Sequence, residues 1–237
     1  MKLNKKFKVL SLGMLLVVTL SSAIGCSSKE SEKTYNKIDS TKTVELANET
    51  KETLVIDVRG ADAYEKGHLA NAINIPFDDF EGKISDLEGY KDQTIVLICN
   101  TGNKSGKAGQ MLVDKGFTKI YNAEDGMEEY DYDTVKYINV TGSEFEKLVT
   151  ENKDAVILDL RDAKDFEKSS VENAVNIPMD EFESKAKKKL KNKDKEILLY
   201  CNTGTRTSEA SQILEKDGYT NIINSIDGVK EYEFKLK

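Results

Sequence analysis

The sequence predicts an α/β fold built twice: two tandem domains, each a central, mainly parallel sheet flanked by helices. Three observations predict it. Displacing the chain by 102 residues superimposes its two halves without a gap from Asp57 to Tyr130. Each half holds short, near-continuous apolar runs of strand length. Each half then places a glycine-containing loop and a helical apolar pattern after one of those runs. A period of ~100 residues is too long for a solenoid unit, so the chain carries a duplicated domain. Its 237 residues leave room for two domains of about 100 residues each.

The repeat is seen in particular residues. Asp57 and Arg59 meet Asp159 and Arg161, and Asn74-Ile75-Pro76 meets Asn176-Ile177-Pro178. Cys99-Asn100-Thr101-Gly102 meets Cys201-Asn202-Thr203-Gly204. Asp125-Gly126 meets Asp227-Gly228, and Tyr130 meets Tyr232. The only two prolines of the chain are partners in this match.

The elements of each half follow in order. Leu54-Val55-Ile56-Asp57-Val58 and Val156-Ile157-Leu158-Asp159-Leu160 are apolar, β-branched runs, as are Ile95-Val96-Leu97-Ile98 and Ile197-Leu198-Leu199-Tyr200. Runs of this length and continuity suit parallel strands buried on both faces. After each cysteine loop, Ala108, Met111 and Leu112, or Ala210, Ile213 and Leu214, share one helical face, and Gly116 or Gly218 ends the pattern. A third apolar segment follows at Lys119-Ile120-Tyr121 and at Asn221-Ile222-Ile223. Strand, loop, helix and strand in this order make an α/β layer fold.

The cysteine loops carry the chemistry. Each cysteine ends a buried strand, and a short loop leads from it into a helix. Ligands of open α/β sheets bind beyond the C-terminal ends of the strands. Unpaired backbone N–H groups at a helix start face an anion there, and such donors favour the thiolate, the reactive form of cysteine. The placement points to nucleophilic cysteine chemistry on an anionic substrate.

With those residues in place, the chain resembles the rhodanese family. The loops Cys99-Asn100-Thr101-Gly102-Asn103-Lys104-Ser105 and Cys201-Asn202-Thr203-Gly204-Thr205-Arg206-Thr207 look like rhodanese active-site loops. Asp57-Val58-Arg59, Glu65, Gly67-His68-Leu69 and Asn74-Ile75-Pro76 are similar to the family's framing motifs, and Asp125-Gly126 with Tyr130 to its closing glycine-aromatic motif. The resemblance covers roughly residues 35–237: 35–133 as a first rhodanese-like domain and 134–237 as a second. It implies a sulfurtransferase without metal or organic cofactor. A donor such as thiosulfate passes a sulfane sulfur to the cysteine, and a thiophilic acceptor removes it from the persulfide. By this analogy Cys99 and Cys201 are the nucleophiles, and Asn100 to Ser105 and Asn202 to Thr207 bind the persulfide and the incoming anion.

The halves differ in ways that bear on this. Lys104 stands where the second loop has Arg206, one of three arginines in a chain with 32 lysines. A guanidinium grips an oxyanion through two bonds, whereas lysine offers a compact charge, which favours the second site for thiosulfate-like anions. Ser169-Ser170 replaces Gly67-His68.

The N-terminus reads as an export signal over residues 1–25. Lys2, Lys5, Lys6 and Lys8 precede an apolar run from Val9 to Leu20, too short for a hydrocarbon core that needs about 20 residues. Ala23-Ile24-Gly25-Cys26 resembles the bacterial lipoprotein signal, with Ala23 where that family prefers leucine. The resemblance implies lipidation of Cys26 and anchoring to the outer face of the cell membrane. A plain signal peptide is the alternative. Residues 26–34 are a polar tether. The chain without 1–25 has 31 basic and 42 acidic side chains, a net charge of −11, which argues against a nucleic-acid partner and leaves small sulfur anions and thiol acceptors.

Other readings stay open. Cys99 and Cys201 could pair as a disulfide in an exported protein, although structural disulfides seldom occupy equivalent positions of two repeats. A cysteine phosphatase or arsenate reductase uses a larger loop with arginine six residues after the cysteine. Here Lys104 and Arg206 stand five residues after it. A sulfur-relay or binding module without turnover is the third class. His68, the one histidine, sits in a framing motif and reads as structural. Arg59 and Arg161, near Glu65 and Glu167, read as structural ion pairs, and the run from Lys185 to Lys191 as a solvated helix face. The enzymatic reading requires thiols that solvent can reach and that are not bonded to each other.

Overall fold

The computed structural model describes residues 34–49 and 52–237. The expected export signal, Cys26 and nearly all of the tether lie outside the described residues. The first domain runs β1 (Asn36–Ile38), α1 (Ser40–Ala47), β2 (Thr53–Asp57), α2 (Ala61–Lys66), β3 (His68–Leu69), β4 (Ala72–Asn74), α3 (Phe80–Lys83), a 3-10 helix over Ile84–Tyr90, β5 (Thr94–Ile98), α4 (Asn103–Asp114), β6 (Ile120–Ala123) and α5 (Gly126–Glu129). The second runs β7 (Thr134–Val135), β8 (Ile138–Val140), α6 (Gly142–Glu151), β9 (Val156–Asp159), α7 (Ala163–Lys168), β10 (Val175–Asn176), a 3-10 turn over Met179–Glu181, α8 (Phe182–Lys189), β11 (Ile197–Tyr200), α9 (Thr205–Lys216) and β12 (Ile222–Ser225).

Each domain has one five-stranded sheet, in the order β1-β6-β5-β2-β4 and, by equivalent strands, β8-β12-β11-β9-β10. Every pairing within the two sheets is parallel. Strands β5 and β11, which lead directly into the two cysteines, hold the central position. The two-residue alternation of a strand then sorts their side chains. Leu54, Ile56, Ile95, Leu97 and Cys99 enter one core with Ala108 and Leu112 of α4. Val55, Val96 and Ile98 enter another on the opposite face, with Leu46 of α1. The second domain divides its strands likewise, with Leu199 and Cys201 on the α9 side and Leu198 and Tyr200 on the other. The helix starts are capped locally: Asp39 Oδ1 accepts from Lys42 N (2.8 Å) and Thr141 Oγ1 from Glu144 N (3.3 Å).

Contacts between the two domains were not legible in the repeat. β3 pairs antiparallel with β7, joining His68 to Val135 and Leu69 to Thr134. The Ala72 carbonyl, on edge strand β4, accepts from Tyr64 Oη (2.6 Å) and from Asn139 Nδ2 (3.0 Å) across the boundary. The basic run on α8 is a solvent face, as its sequence suggested: Lys185, Lys187, Lys188 and Lys189 are exposed, while Ala186 and Leu190 are buried.

Candidate active site

The first loop is shaped from beneath. Met127 N donates to Cys99 O (2.8 Å) and Glu128 N to Asn100 O (3.0 Å). In a trans peptide the N–H points opposite to the preceding C=O, so pinning these two carbonyls to the start of α5 turns the Asn100 and Thr101 amides toward the concave side of the loop. Gly102 then takes a left-handed conformation (φ 72°). A Cβ there would stand 2.5 Å from Glu124 O, so glycine is required on both counts. Gly126, also left-handed (φ 59°), has no room for a Cβ against Asn100 O and Thr101 N. This is the physical content of the repeated Asp-Gly motif.

The chain then enters α4, and Ser105 aims two donors at the sulfur: its amide lies 3.4 Å and its hydroxyl 3.2 Å from Cys99 Sγ. Asn100, Thr101, Asn103 and Lys104 are exposed on the rim. Asn103 Nδ2 donates to Thr101 Oγ1 (3.0 Å). Lys104 Nζ stands 3.9 Å from Asp78 and 5.6 Å from the centre of the Phe77 ring.

The second loop repeats the backbone and departs in its side chains. Val229 N donates to Cys201 O (3.0 Å) and Lys230 N to Asn202 O (3.1 Å). Gly204 is left-handed (φ 71°), and Cβ atoms at Gly204 and Gly228 would collide with the Ile226 and Asn202 backbones. The Thr207 hydroxyl turns away from the sulfur and donates to Gly204 O (2.7 Å) and Ser225 O (3.3 Å). Arg206, expected to face an anion, lies with Nη1 3.3 Å from both Leu160 O and Asp162 Oδ1. Thr203 and Thr205 bring their hydroxyls within 3.4 Å of each other.

The two conditions on the thiols divide. Both cysteines are free, so the disulfide alternative does not hold in this structure. Both are also buried. Cys99 keeps 4 % of its surface and Cys201 none, which corrects the expectation of two thiols open to solvent. The reason is the strand alternation: position 99, like 97, and position 201, like 199, face the helix that follows the loop, and the loop closes above them.

The framing motifs hold the strand ends. Asp57, fully buried, takes a forked pair of bonds from Arg59 (2.9 and 2.7 Å to Oδ2), whose Nη2 also donates to Gly67 O (2.7 Å). Asp159 and Arg161 repeat this with Ser169 O, and Tyr200 Oη donates to Asp159 Oδ2 (2.6 Å). The arginines are therefore structural ion pairs, but with the aspartate two residues before rather than with Glu65 or Glu167, because the strand end brings those side chains together. His68 is buried, stacks on Tyr64 at 3.5 Å and lies 2.8 Å from Tyr64 O through Nδ1. A carbonyl only accepts, so Nδ1 carries the proton. Burial pushes the imidazole below its ordinary range, keeping it neutral.

Comparison with known proteins gives the family. A model of the rhodanese-like domain matches residues 40–133 and again residues 141–235. The chain belongs to the rhodanese-like family. Among related sequences, the chain is similar to tRNA uridine(34) hydroxylases. That of Photorhabdus laumondii is 36% identical over 83 residues, 33% of this chain and 24% of that one. That of Cronobacter sakazakii is 35% identical over the same span. This rhodanese-like chain thus spans about a quarter of the length of those relatives. Among solved structures, a thiosulfate sulfurtransferase from Pseudomonas aeruginosa is similar over 85% of this chain and 43% of its own, with 17% identity and a TM-score of 0.38. A rhodanese with anions from E. coli is similar over 35% of this chain and 98% of its own, with 33% identity and a TM-score of 0.33.

Proposed function

We propose that this protein is a sulfurtransferase that carries a sulfane sulfur as a persulfide on Cys99, taking it from a thiosulfate-like anion and passing it to a thiophilic acceptor. One observation carries the reading: the Ser105 amide and hydroxyl converge on Cys99 Sγ, while the Cys99 and Asn100 carbonyls are held away by α5. A sulfur anion at that point meets two donors, with the two nearest loop carbonyls bonded elsewhere. In the loading step the Cys99 thiolate attacks the outer sulfur of thiosulfate. The new S–S bond forms as the old one breaks, and sulfite leaves with the bonding electron pair. In the second step a nucleophile such as cyanide takes the outer sulfur, forming thiocyanate and returning the thiolate. Lys104, exposed at the rim, supplies positive charge to guide the anion in.

The depth of the thiols ranks the two sites. Both thiols are buried, Cys99 with 4 % of its surface left and Cys201 with none, so loading needs the loop to open, and it runs through the shallower Cys99 first. For the second domain, complete burial favours holding sulfur, or none, over independent turnover. Intact mass after thiosulfate treatment tests this. The expected result is a gain of one sulfur, abolished by Cys99→Ser and kept by Cys201→Ser. No gain in the native protein, or an undiminished gain in Cys99→Ser, would refute the assignment. A thiosulfate–cyanide assay on the same samples separates turnover from sulfur holding.

A further inference from the structure

The segments that brace the two loops carry equivalent aspartates that are held differently. In the first domain, Asp125 Oδ2 accepts from Ser40 N (2.8 Å), a contact within the domain. In the second, Asp227 Oδ2 accepts the equivalent bond from Gly142 N (2.6 Å) and a further one from the hydroxyl of Tyr90 (2.5 Å). Tyr90 ends the 3-10 helix of the first domain, and its ring packs on that domain's core. Asp227 is buried. The segment that braces the Cys201 loop is thus bonded, through Asp227, by the other domain.

The residues beside Asp227 are those that press on the loop. The Ile226 carbonyl lies against Gly204, and Gly228 against the Asn202 backbone. Val229 and Lys230 hold the Cys201 and Asn202 carbonyls. The Ile226 side chain packs against the core of the first domain. Thr53, Leu54, Asn71, Tyr90 and Gln93 of that domain line a cavity of about 30 Å³ with Gly204 and Asp227. Any opening of the Cys201 loop that lifts residues 226–229 has to break the Tyr90–Asp227 bond.

We propose that Tyr90 is a positioning residue of the second thiol site: through Asp227 it holds the 201–207 loop closed over Cys201, so that the first domain governs access to the second domain's sulfur. The proposal rests on reading Cys201 as the second thiol of the rhodanese pair, but its test needs no sulfur transfer. The rate of iodoacetamide alkylation is measured at each cysteine by peptide mass in the full chain. Tyr90→Phe keeps the ring and removes the bond. It raises the Cys201 rate on the order of tenfold, the scale of one lost hydrogen bond to a charged group in an opening equilibrium, and leaves Cys99 unchanged. Asp227→Asn keeps an acceptor oxygen and retains most of the protection. Adding Tyr90→Phe to Asp227→Ala produces no further rise, because the two act through one contact. An unchanged Cys201 rate in Tyr90→Phe, or an equal rise at both cysteines, overturns the proposal. Sulfur loading of Cys99, followed by mass in the same samples, reports on the sulfurtransferase reading separately: failure to load with selective exposure of Cys201 sinks that reading and upholds this one.

Discussion

Ser105→Ala removes the hydroxyl 3.2 Å from Cys99 Sγ and leaves the amide at 3.4 Å in place. A hydrogen bond to a charged group contributes about 1.5–3 kcal/mol. The amide survives and the contact to sulfur is long, so the lower end applies, roughly a tenfold effect at 1.4 kcal/mol per decade. The loss falls on the thiolate, the form that attacks. We expect the single-turnover rate of sulfur loading on Cys99 to fall about tenfold. The matched change in the second domain behaves differently, although sequence makes the two positions equivalent. The Thr207 hydroxyl is bonded to Gly204 O at 2.7 Å and Ser225 O, so Thr207→Ala costs stability on the order of 1 kcal/mol and leaves sulfur loading on Cys99 unchanged. An unchanged loading rate in Ser105→Ala, or an equal fall in loading in Thr207→Ala, would show that the hydroxyl positions do not set the chemistry of the sulfur.

Arg161→Met strands the fully buried Asp159 with only Tyr200 Oη and the residue 161 amide as donors. Breaking one partner of a buried pair costs about 3–5 kcal/mol, and urea unfolding should show a loss near the lower bound; a loss under about 1 kcal/mol would mean the pair is effectively solvated. His68 tests pH. Its imidazole is held below the ordinary value of 6.5 by burial, so its contribution to stability is full above that value and is lost as pH falls through the lowered one. The melting temperature should therefore drop more steeply on acidification from about pH 7 to about pH 5 in the native protein than in His68→Asn. Parallel curves would assign the acid sensitivity to other groups.

Much of this was legible in the chain alone, because its signals are local or repeated. Apolar runs such as Ile95–Ile98 mark strands buried on both faces whatever packs on them, and the 102-residue repeat doubles every such signal. The loop of Cys99 and its twin at Cys201 announced a strand-to-helix turn, and the Asp-Gly pairs announced something attached to it. The short strands β1 and β8 and the pairing of β3 with β7 carry too few residues to show a period, so they emerged only when the sheets were assembled.

The amino-acid order determined the duplicated fold, the two loops and the candidate sulfur atoms, since covalent spacing and side-chain alternation decide those. Tertiary structure decided how the two sites differ. Whether Ser105 reaches its sulfur and Thr207 does not, how deep Cys99 and Cys201 lie, and which domain holds Asp227 depend on groups far apart in the chain: Tyr90 and Asp227 stand 137 positions apart and meet at 2.5 Å. No local pattern encodes such a contact, because it exists only after both cores have packed and brought their surfaces together.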